Sequence, residues 1–157
     1  MKSLFDTYLP WFILREVPFI GNCLYARLIR YFGSAEQVLN ADFDELTKVS
    51  GVGRQTARSI IKHDRYRGSA EQELEKTLRN NFRILTLGDT QYPPLLAQIP
   101  DPPPILTYLG SPDTESPCIS VIGSRNATRY GLNTARNISF RLSQSGLQVV
   151  SGMARGI

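Results

Sequence analysis

Two short stretches decide the fold of this chain: Ile119–Arg125 (ISVIGSR) and Val149–Gly156 (VVSGMARG). Each is an apolar run that ends abruptly at a glycine and is followed by an arginine within three residues. Apolar residues recur between them at helical spacing, and Gly146 follows as a stop signal. These apolar residues are Leu132, Ala135, Ile138 and Leu142. The pattern predicts a β-loop-α-β unit with small residues and an arginine at the carboxyl end of each strand.

The first loop has the residue types that bind a phosphate. Open α/β sheets bind ligands at the carboxyl edge of their strands. Small residues such as Gly123 and Ser124 let backbone N–H groups approach an anion, and Arg125 offers two parallel donors. The loop lacks the second glycine of a dinucleotide fingerprint, so it does not predict NAD binding. The alternative is an ordinary turn with a solvated arginine.

The second loop repeats this chemistry on the neighbouring strand. Arg155 stands among Ser151, Gly152 and Gly156. Arg129 and Tyr130, just after the first loop, could stack on nucleic-acid bases. Tyr130 could equally pack at the start of the following helix.

Residues 1–80 show helical spacing and a weak internal repeat. Val17–Gly21 aligns with Val49–Gly53 at an offset of 32 residues, and each segment leads into an apolar helix. Two helix-hairpin-helix units can bury their apolar faces on each other, which one unit alone cannot do. We therefore predict a tandem of two such units.

The second hairpin is a candidate secondary DNA contact. Gly51 and Gly53 permit a tight turn that exposes N–H groups at the start of the next helix, where a phosphate can dock. Arg54 follows directly, and Arg58 and Lys62 extend a basic face. The alternative is a hairpin that only joins two helices. In the first copy Phe19 replaces the first glycine, so we interpret that copy as part of the core.

The middle of the chain is harder to assign. Charged residues over 70–80 predict a helix that could act as a linker. Strands are predicted at Arg83–Leu87 and Ile105–Leu109, separated by an ordered, irregular and largely extended segment rich in proline. Cys118–Ile122 is predicted to be a buried strand, preceded by an exposed loop over residues 111–117.

Composition bounds the remaining possibilities. The net charge of +4 in 157 residues fits a polyanionic binding partner but does not require one. Two cysteines, Cys23 and Cys118, are too few for a disulfide framework, so buried thiols in a reducing, cytoplasmic compartment are expected. No apolar run is long enough to span a membrane, and no signal peptide is apparent. The sequence offers no metal-ligating cluster and no catalytic pair, and His63 is expected to be a solvated helix-end residue.

The chain resembles the DprA/Smf family of DNA-processing proteins. The resemblance rests on motifs in that family's order and spacing: Gly123-Ser124-Arg125, Thr128-x-Tyr130-Gly131 and Ser151–Ile157, with Tyr92-Pro93 and a segment from Ile99 to Gly110 upstream. It implies an α/β chain with an all-α, SAM-like helix-hairpin-helix domain over residues 1–80. The first part of a Rossmann-like domain, which continues further in the family, would follow over residues 81–157.

The resemblance also implies a function. The family binds single-stranded DNA, protects it and loads the recombinase RecA onto it during natural transformation, as a homodimer, without a cofactor and without catalysing a reaction. The implied DNA-binding residues are Gly123, Ser124, Arg125, Thr128, Ser151, Gly152, Arg155 and Gly156.

Two other functions remain open from the sequence. One is a nucleotide-binding or nucleotide-hydrolysing enzyme of similar Rossmann-like shape, such as the phosphoribohydrolases that resemble lysine decarboxylases. The other is a protein-interaction module with a vestigial hairpin.

Overall fold

The computed structural model describes residues 3–111, 116–152 and 154–157. The predicted loop over residues 111–117 and Met153 of the second motif therefore lie partly or wholly outside the described residues. The chain divides into two compact units, Met1–Gly110 and Ser111–Ile157.

The first unit begins with six helices, and the side chains before them explain where several begin. Ser3 and Asp6 form a reciprocal capping box at the first helix. Ser34 and Asp42 accept hydrogen bonds from backbone N–H groups at the third and fourth. The helices are α1 (Leu4–Glu16), α2 (Asn22–Phe32), α3 (Ala35–Asn40), α4 (Phe43–Lys48), α5 (Arg54–Ile61) and α6 (Asp64–Arg79).

One apolar core joins these helices, as the tandem repeat predicts. Its largest fully buried side chains come from α1, both hairpin units and α6, so both copies contribute to one shared core. These residues are Phe12, Leu14, Tyr25, Leu28, Val38, Leu46, Ile60 and Leu74. The interpretation of the first copy as core is confirmed for its helix, but Phe19 itself is 63% exposed.

Helix α6 is longer than predicted and packs mainly against α1. Ala70, Leu74 and Thr77 are buried, while the charged side chains of the helix face outward. A helix with a buried face over about two turns is part of the core, so its interpretation as a linker is wrong.

A β-hairpin closes the first unit. Strands β1 (Arg83–Thr86) and β2 (Ile105–Tyr108) pair antiparallel, with Arg83 opposite Tyr108 and Thr86 opposite Ile105. Between them the proline-rich segment is irregular apart from a single helical turn, α7 (Pro94–Ala97). Buried Tyr92 fixes this segment by donating a hydrogen bond to the Pro103 carbonyl at 2.7 Å.

The hairpin belongs to the same compact unit as the helices. Ile84 and Ile105 are buried in the helical core, and the Tyr8 hydroxyl on α1 donates to the Ile84 carbonyl at 3.2 Å. The compact unit therefore extends to Gly110, thirty residues past the domain boundary predicted from sequence. The division at residues 80 and 81 stays a prediction about the domain organisation of the family.

The second unit has the predicted β-loop-α-β order. Strands β3 (Cys118–Ser120) and β4 (Gln148–Val150) pair in parallel, with Ile119 opposite Val149. Helix α8 (Arg129–Gln144) connects them and ends before Gly146, whose φ is +82°. A glycine suits this left-handed stop because it has no Cβ to clash.

Burial in the second unit differs from the expectation. Every residue of β3 is exposed, and no described side chain of residues 116–152 and 154–157 is fully buried. Both cysteines are exposed, so the prediction of buried thiols is wrong. Cys23 lies at the surface, where its thiol donates to the Pro100 carbonyl at 3.3 Å.

Candidate nucleic-acid interface

The loop after β3 is shaped by its own small polar side chains. The Ser124 hydroxyl accepts a hydrogen bond from the Asn126 N–H at 3.2 Å, which folds the chain back on itself. Thr128 then caps α8 by accepting from the Gly131 N–H at 3.1 Å. Thr128 therefore sets where the helix begins, and Arg125 lies in the turn before it.

The two arginine-bearing loops touch each other. The Ile157 N–H donates to the Ser124 carbonyl at 3.3 Å. Gly156 has a φ of +100°, and a Cβ at this position would lie 2.8 Å from the Arg125 Cα and closer still to the Ser124 carbonyl oxygen. Only glycine allows this approach. The structure thus brings Ser124, Arg125 and Gly156 together.

Arg125 and Arg155 line one open concavity of about 550 Å³. Asn126, Ala127 and Gly156 complete its surface together with Leu132. Both arginines are exposed, and neither has a hydrogen-bond or ion-pair partner within the described residues. Two unneutralised guanidinium groups in one concavity attract an anion.

The other predicted loop residues have different surroundings. Ser151 and Gly152 are exposed and do not line the concavity. A Cβ at Gly152 would meet nothing within 4 Å, so space does not require a glycine there. At Gly123, by contrast, a Cβ would lie 2.8 Å from the Ile157 Cβ, so this glycine permits the contact between the loops.

An exposed aromatic residue follows the first loop in the chain, outside the residues that line the concavity. Tyr130, in the first turn of α8, is 81% exposed, and its neighbour Arg129 is also exposed. The structure thus leaves the Tyr130 ring free to stack on a base instead of packing at the helix start.

The two hairpins of the first unit have the same backbone, which explains the repeat in the sequence. Phe19 and Gly51, 32 residues apart, have positive φ values of 69° and 94°. Gly21 and Gly53 each precede a helix with nearly identical angles, φ −83° and ψ 171° against φ −80° and ψ 168°. The first copy therefore adopts the same turn as the second, with Phe19 at the position that Gly51 has in the second copy.

Sequence reasoning missed Arg27, which connects the two copies. Its guanidinium, on α2, donates to the Ser50 carbonyl in the second hairpin. A Cβ at Gly51 would lie 2.7 Å from the Arg27 Nη1, so the hairpin packs directly on this side chain. Arg27 occupies the position in the first copy that Ser59 has in the second, and only the folded arrangement shows its role.

The described residues contain no group of three or more His, Cys, Asp or Glu side chains able to hold a metal ion. His63 is half-buried, and its Nδ1 lies 3.0 Å from the Ile60 carbonyl, so it is less solvated than expected. Among the helices that the structure describes, none has the length and apolar character needed to cross a membrane.

Comparison with known proteins places this geometry in a family. The model of the DNA recombination-mediator protein A family matches residues 83–157, and that of the SAM-like helix-hairpin-helix tandem matches residues 13–63. The chain belongs to the DprA/Smf family. It is 36% identical to protein Smf of Synechocystis over 152 residues, covering 94% of this chain and 38% of that protein. It is 27% identical to the DNA processing protein DprA of Bacillus subtilis over 121 residues, covering 71% of this chain and 41% of DprA.

The chain spans about two fifths of the length of these two DprA/Smf relatives. A shorter similarity, 32% identity over 66 residues, links it to the UvrABC system protein C of Clostridium acetobutylicum, covering 42% of this chain and 11% of that protein. The recognised family and the α/β fold class with a helix-hairpin-helix tandem are thus confirmed, and the family is one of DNA-processing proteins.

Proposed function

We propose that this protein binds single-stranded DNA through the two loops that carry Arg125 and Arg155. The observation that carries the proposal is the contact between these loops, which puts both unpaired arginines on one concavity. A DNA strand supplies closely spaced phosphates, and a guanidinium binds a phosphate through two parallel hydrogen bonds.

Each loop residue has a distinct role in this proposal. Arg125 and Arg155 bind phosphate oxygens, while Gly123 and Gly156 allow the loops to approach each other. Thr128 fixes the start of α8. Ser151 and Gly152, which are exposed at the end of β4, would contact the strand as it leaves the concavity.

Preference for a single strand follows from Tyr130. Its exposed ring can stack on an unpaired base, and stacking contributes about 1–3 kcal/mol per base. In a duplex the base faces are already stacked on one another, so this contribution is lost. Because no base-edge contact is involved, the preference should depend little on sequence.

The wider role follows the family. Binding and protecting a single strand in the cytoplasm and delivering it to RecA, as a homodimer without catalysis or cofactor, is the function we propose for the protein. A secondary contact at Gly51, Gly53 and Arg54 belongs to the same proposal.

Fluorescence anisotropy with labelled oligonucleotides tests the strand preference. A mixed-sequence single strand and the matched duplex are titrated with the protein at several salt concentrations. We expect tighter binding to the single strand at each of them, with little change when the sequence is permuted. Equal or tighter binding to the duplex would contradict the single-strand proposal.

A further inference from the structure

The side chain of Ile157, which follows Gly156 in the second loop, packs onto the first loop. Ile157 is half-buried, whereas the other residues that the structure describes between 151 and 157 are all exposed. Its backbone N–H donates to the Ser124 carbonyl, so main chain and side chain both reach the first loop. The surroundings of Ile157 thus differ from those of Arg155 in the same loop.

Ile157 fills the space that two glycines leave open. A Cβ at Gly123 would lie 2.8, 3.0 and 3.1 Å from the Cβ, Cγ2 and Cδ1 atoms of Ile157. A Cβ at Gly131 would lie 3.4 Å from the same Cδ1 atom. Gly123 precedes Arg125, and Gly131 lies in the first turn of α8. One apolar side chain therefore lies against both ends of the segment that carries Arg125.

These contacts can hold the two arginines in place although Ile157 carries no charge. Arg125 follows Gly123 by two residues, and Arg155 precedes Ile157 by two. Both arginines are exposed and have no partner among the described residues that would fix them. The position of each guanidinium thus depends on how firmly its loop is held, and Ile157 holds the two loops to each other.

Holding the loops together before the ligand arrives favours binding. A site that is already ordered loses less conformational entropy when its ligand binds than a site whose loops move independently. Truncating Ile157 keeps both guanidinium groups and every possible phosphate contact, but it releases the loops from each other. Its effect on binding is therefore separable from the loss of a phosphate contact.

We propose that Ile157 is a positioning residue of the single-strand site. Its side chain, seated on Gly123 and Gly131, keeps the loops of Arg125 and Arg155 together in the free protein. This inference rests on the proposed function, because it concerns the same concavity. It adds a role for an apolar side chain that cannot itself bind a phosphate.

The test compares Ile157→Ala with Ile157→Val. Alanine removes the Cγ2 and Cδ1 atoms, whereas valine keeps Cγ2 over Gly123 and lacks only Cδ1. The matched control is Ile138→Ala, which truncates a 49% exposed isoleucine of α8 outside the concavity. Anisotropy with a labelled single strand gives the affinity and its salt dependence. The binding stoichiometry gives the active fraction of each variant, so a loss of folded protein is not mistaken for weaker binding.

We expect Ile157→Ala to bind the single strand about fivefold more weakly at low salt, and Ile157→Val and Ile138→Ala to stay within about twofold of the wild type. The slope of log affinity against log salt should keep its wild-type value in all three variants, because every phosphate contact can still form. Arg125→Ala differs, because it removes a contact and flattens the slope.

The positioning role and the proposed function fail in different ways. Wild-type affinity of the active fraction in Ile157→Ala would overturn the positioning role and leave the arginine loops as the binding site. Equal losses in Ile157→Ala and Ile138→Ala would also overturn it. Wild-type affinity and slope in both Arg125→Ala and Arg155→Ala would contradict the proposed function, and the positioning role would be overturned with it.

Discussion

At the scale of single residues, Phe19 shows how a repeat can diverge while its backbone persists. The residue adopts a left-handed φ of 69°, and its side chain is 63% exposed, so little burial compensates for the backbone strain. That conformation costs a non-glycine residue about 1–2 kcal/mol. The sequence predicted the turn from its glycine-containing copy, but not that a phenylalanine would adopt the same angles.

Replacing Phe19 with glycine should therefore stabilise the protein by up to about 1 kcal/mol, because the relief of about 1–2 kcal/mol of backbone strain exceeds the roughly 0.4–1 kcal/mol that the greater unfolded-state entropy of glycine costs. The reverse type of change, Gly51→Ala, should destabilise it, because φ is +94° and the new Cβ would lie 2.7 Å from the Arg27 Nη1. Urea unfolding followed by circular dichroism measures both. Destabilisation by Phe19→Gly would mean that the exposed ring makes a stabilising contact.

Tyr25 should make the first unit sensitive to alkaline pH. Burial raises the pKa of its phenol well above the ordinary value of 10.0, and Arg15 lowers it by a smaller amount. The unfolded phenol ionises near pH 10 while the folded one stays protonated and donates to the Trp11 carbonyl at 2.9 Å. The stabilisation is thus complete below pH 10 and is lost as the pH rises through the folded pKa.

The free energy of unfolding at pH 8 and pH 11, measured for the wild type and Tyr25→Phe, tests this assignment of the alkaline pH dependence to Tyr25. The variant should lose about 1 kcal/mol at pH 8, where the hydrogen bond is missing, and should depend less on pH between the two values. Burial also raises the pKa of Tyr8 and Tyr92, so some alkaline destabilisation remains. An identical pH dependence in both proteins would contradict the assignment to Tyr25.

At the scale of elements, the clearest wrong prediction is the interpretation of α6 as a linker. Ala70, Leu74 and Thr77 recur at positions i, i+4 and i+7, which is a helical stripe. The many Glu and Lys residues between them suggested a solvated linker. They lie on the outer face, and the buried stripe packs against the core.

Leu74→Ala should consequently destabilise the first unit by about 2–5 kcal/mol, because a fully buried leucine leaves a cavity in the core. The adjacent exposed Glu75→Ala is the matched control and should change stability by less than about 0.5 kcal/mol. Thermal or urea unfolding distinguishes the two. Similar small effects would restore the linker interpretation.

Strand order was easier to predict than strand burial. The β3-α8-β4 order follows from apolar runs, the helical spacing between them and Gly146, all of which are local signals. Whether Cys118 or Ile119 is buried depends on what packs over the strand, and sequence periodicity does not contain that information. For Arg125 and Gly156, the sequence likewise predicted only that both follow neighbouring strands at one edge of the sheet. The hydrogen bond between Ile157 and Ser124 that brings them together arises from tertiary folding.

At the scale of the whole molecule, the proposed function assigns single-strand binding to the second compact unit. The loops with Arg125 and Arg155 lie in this unit, where two arginines without a partner in the described residues line an open concavity. The exposed ring of Tyr130 belongs to the same unit, so the proposed strand preference is assigned there as well.

The salt dependence of single-strand binding in Arg125→Ala, Arg155→Ala and the double variant tests the central claim most directly. Arg136→Ala, an exposed arginine of α8 outside the concavity, is the control. We predict that each single change weakens binding and flattens the log–log slope by about 0.7, that the double variant flattens it by about 1.4, and that the control does neither. Affinity and slope unchanged from the wild type in the double variant would contradict the claim that these loops bind the strand.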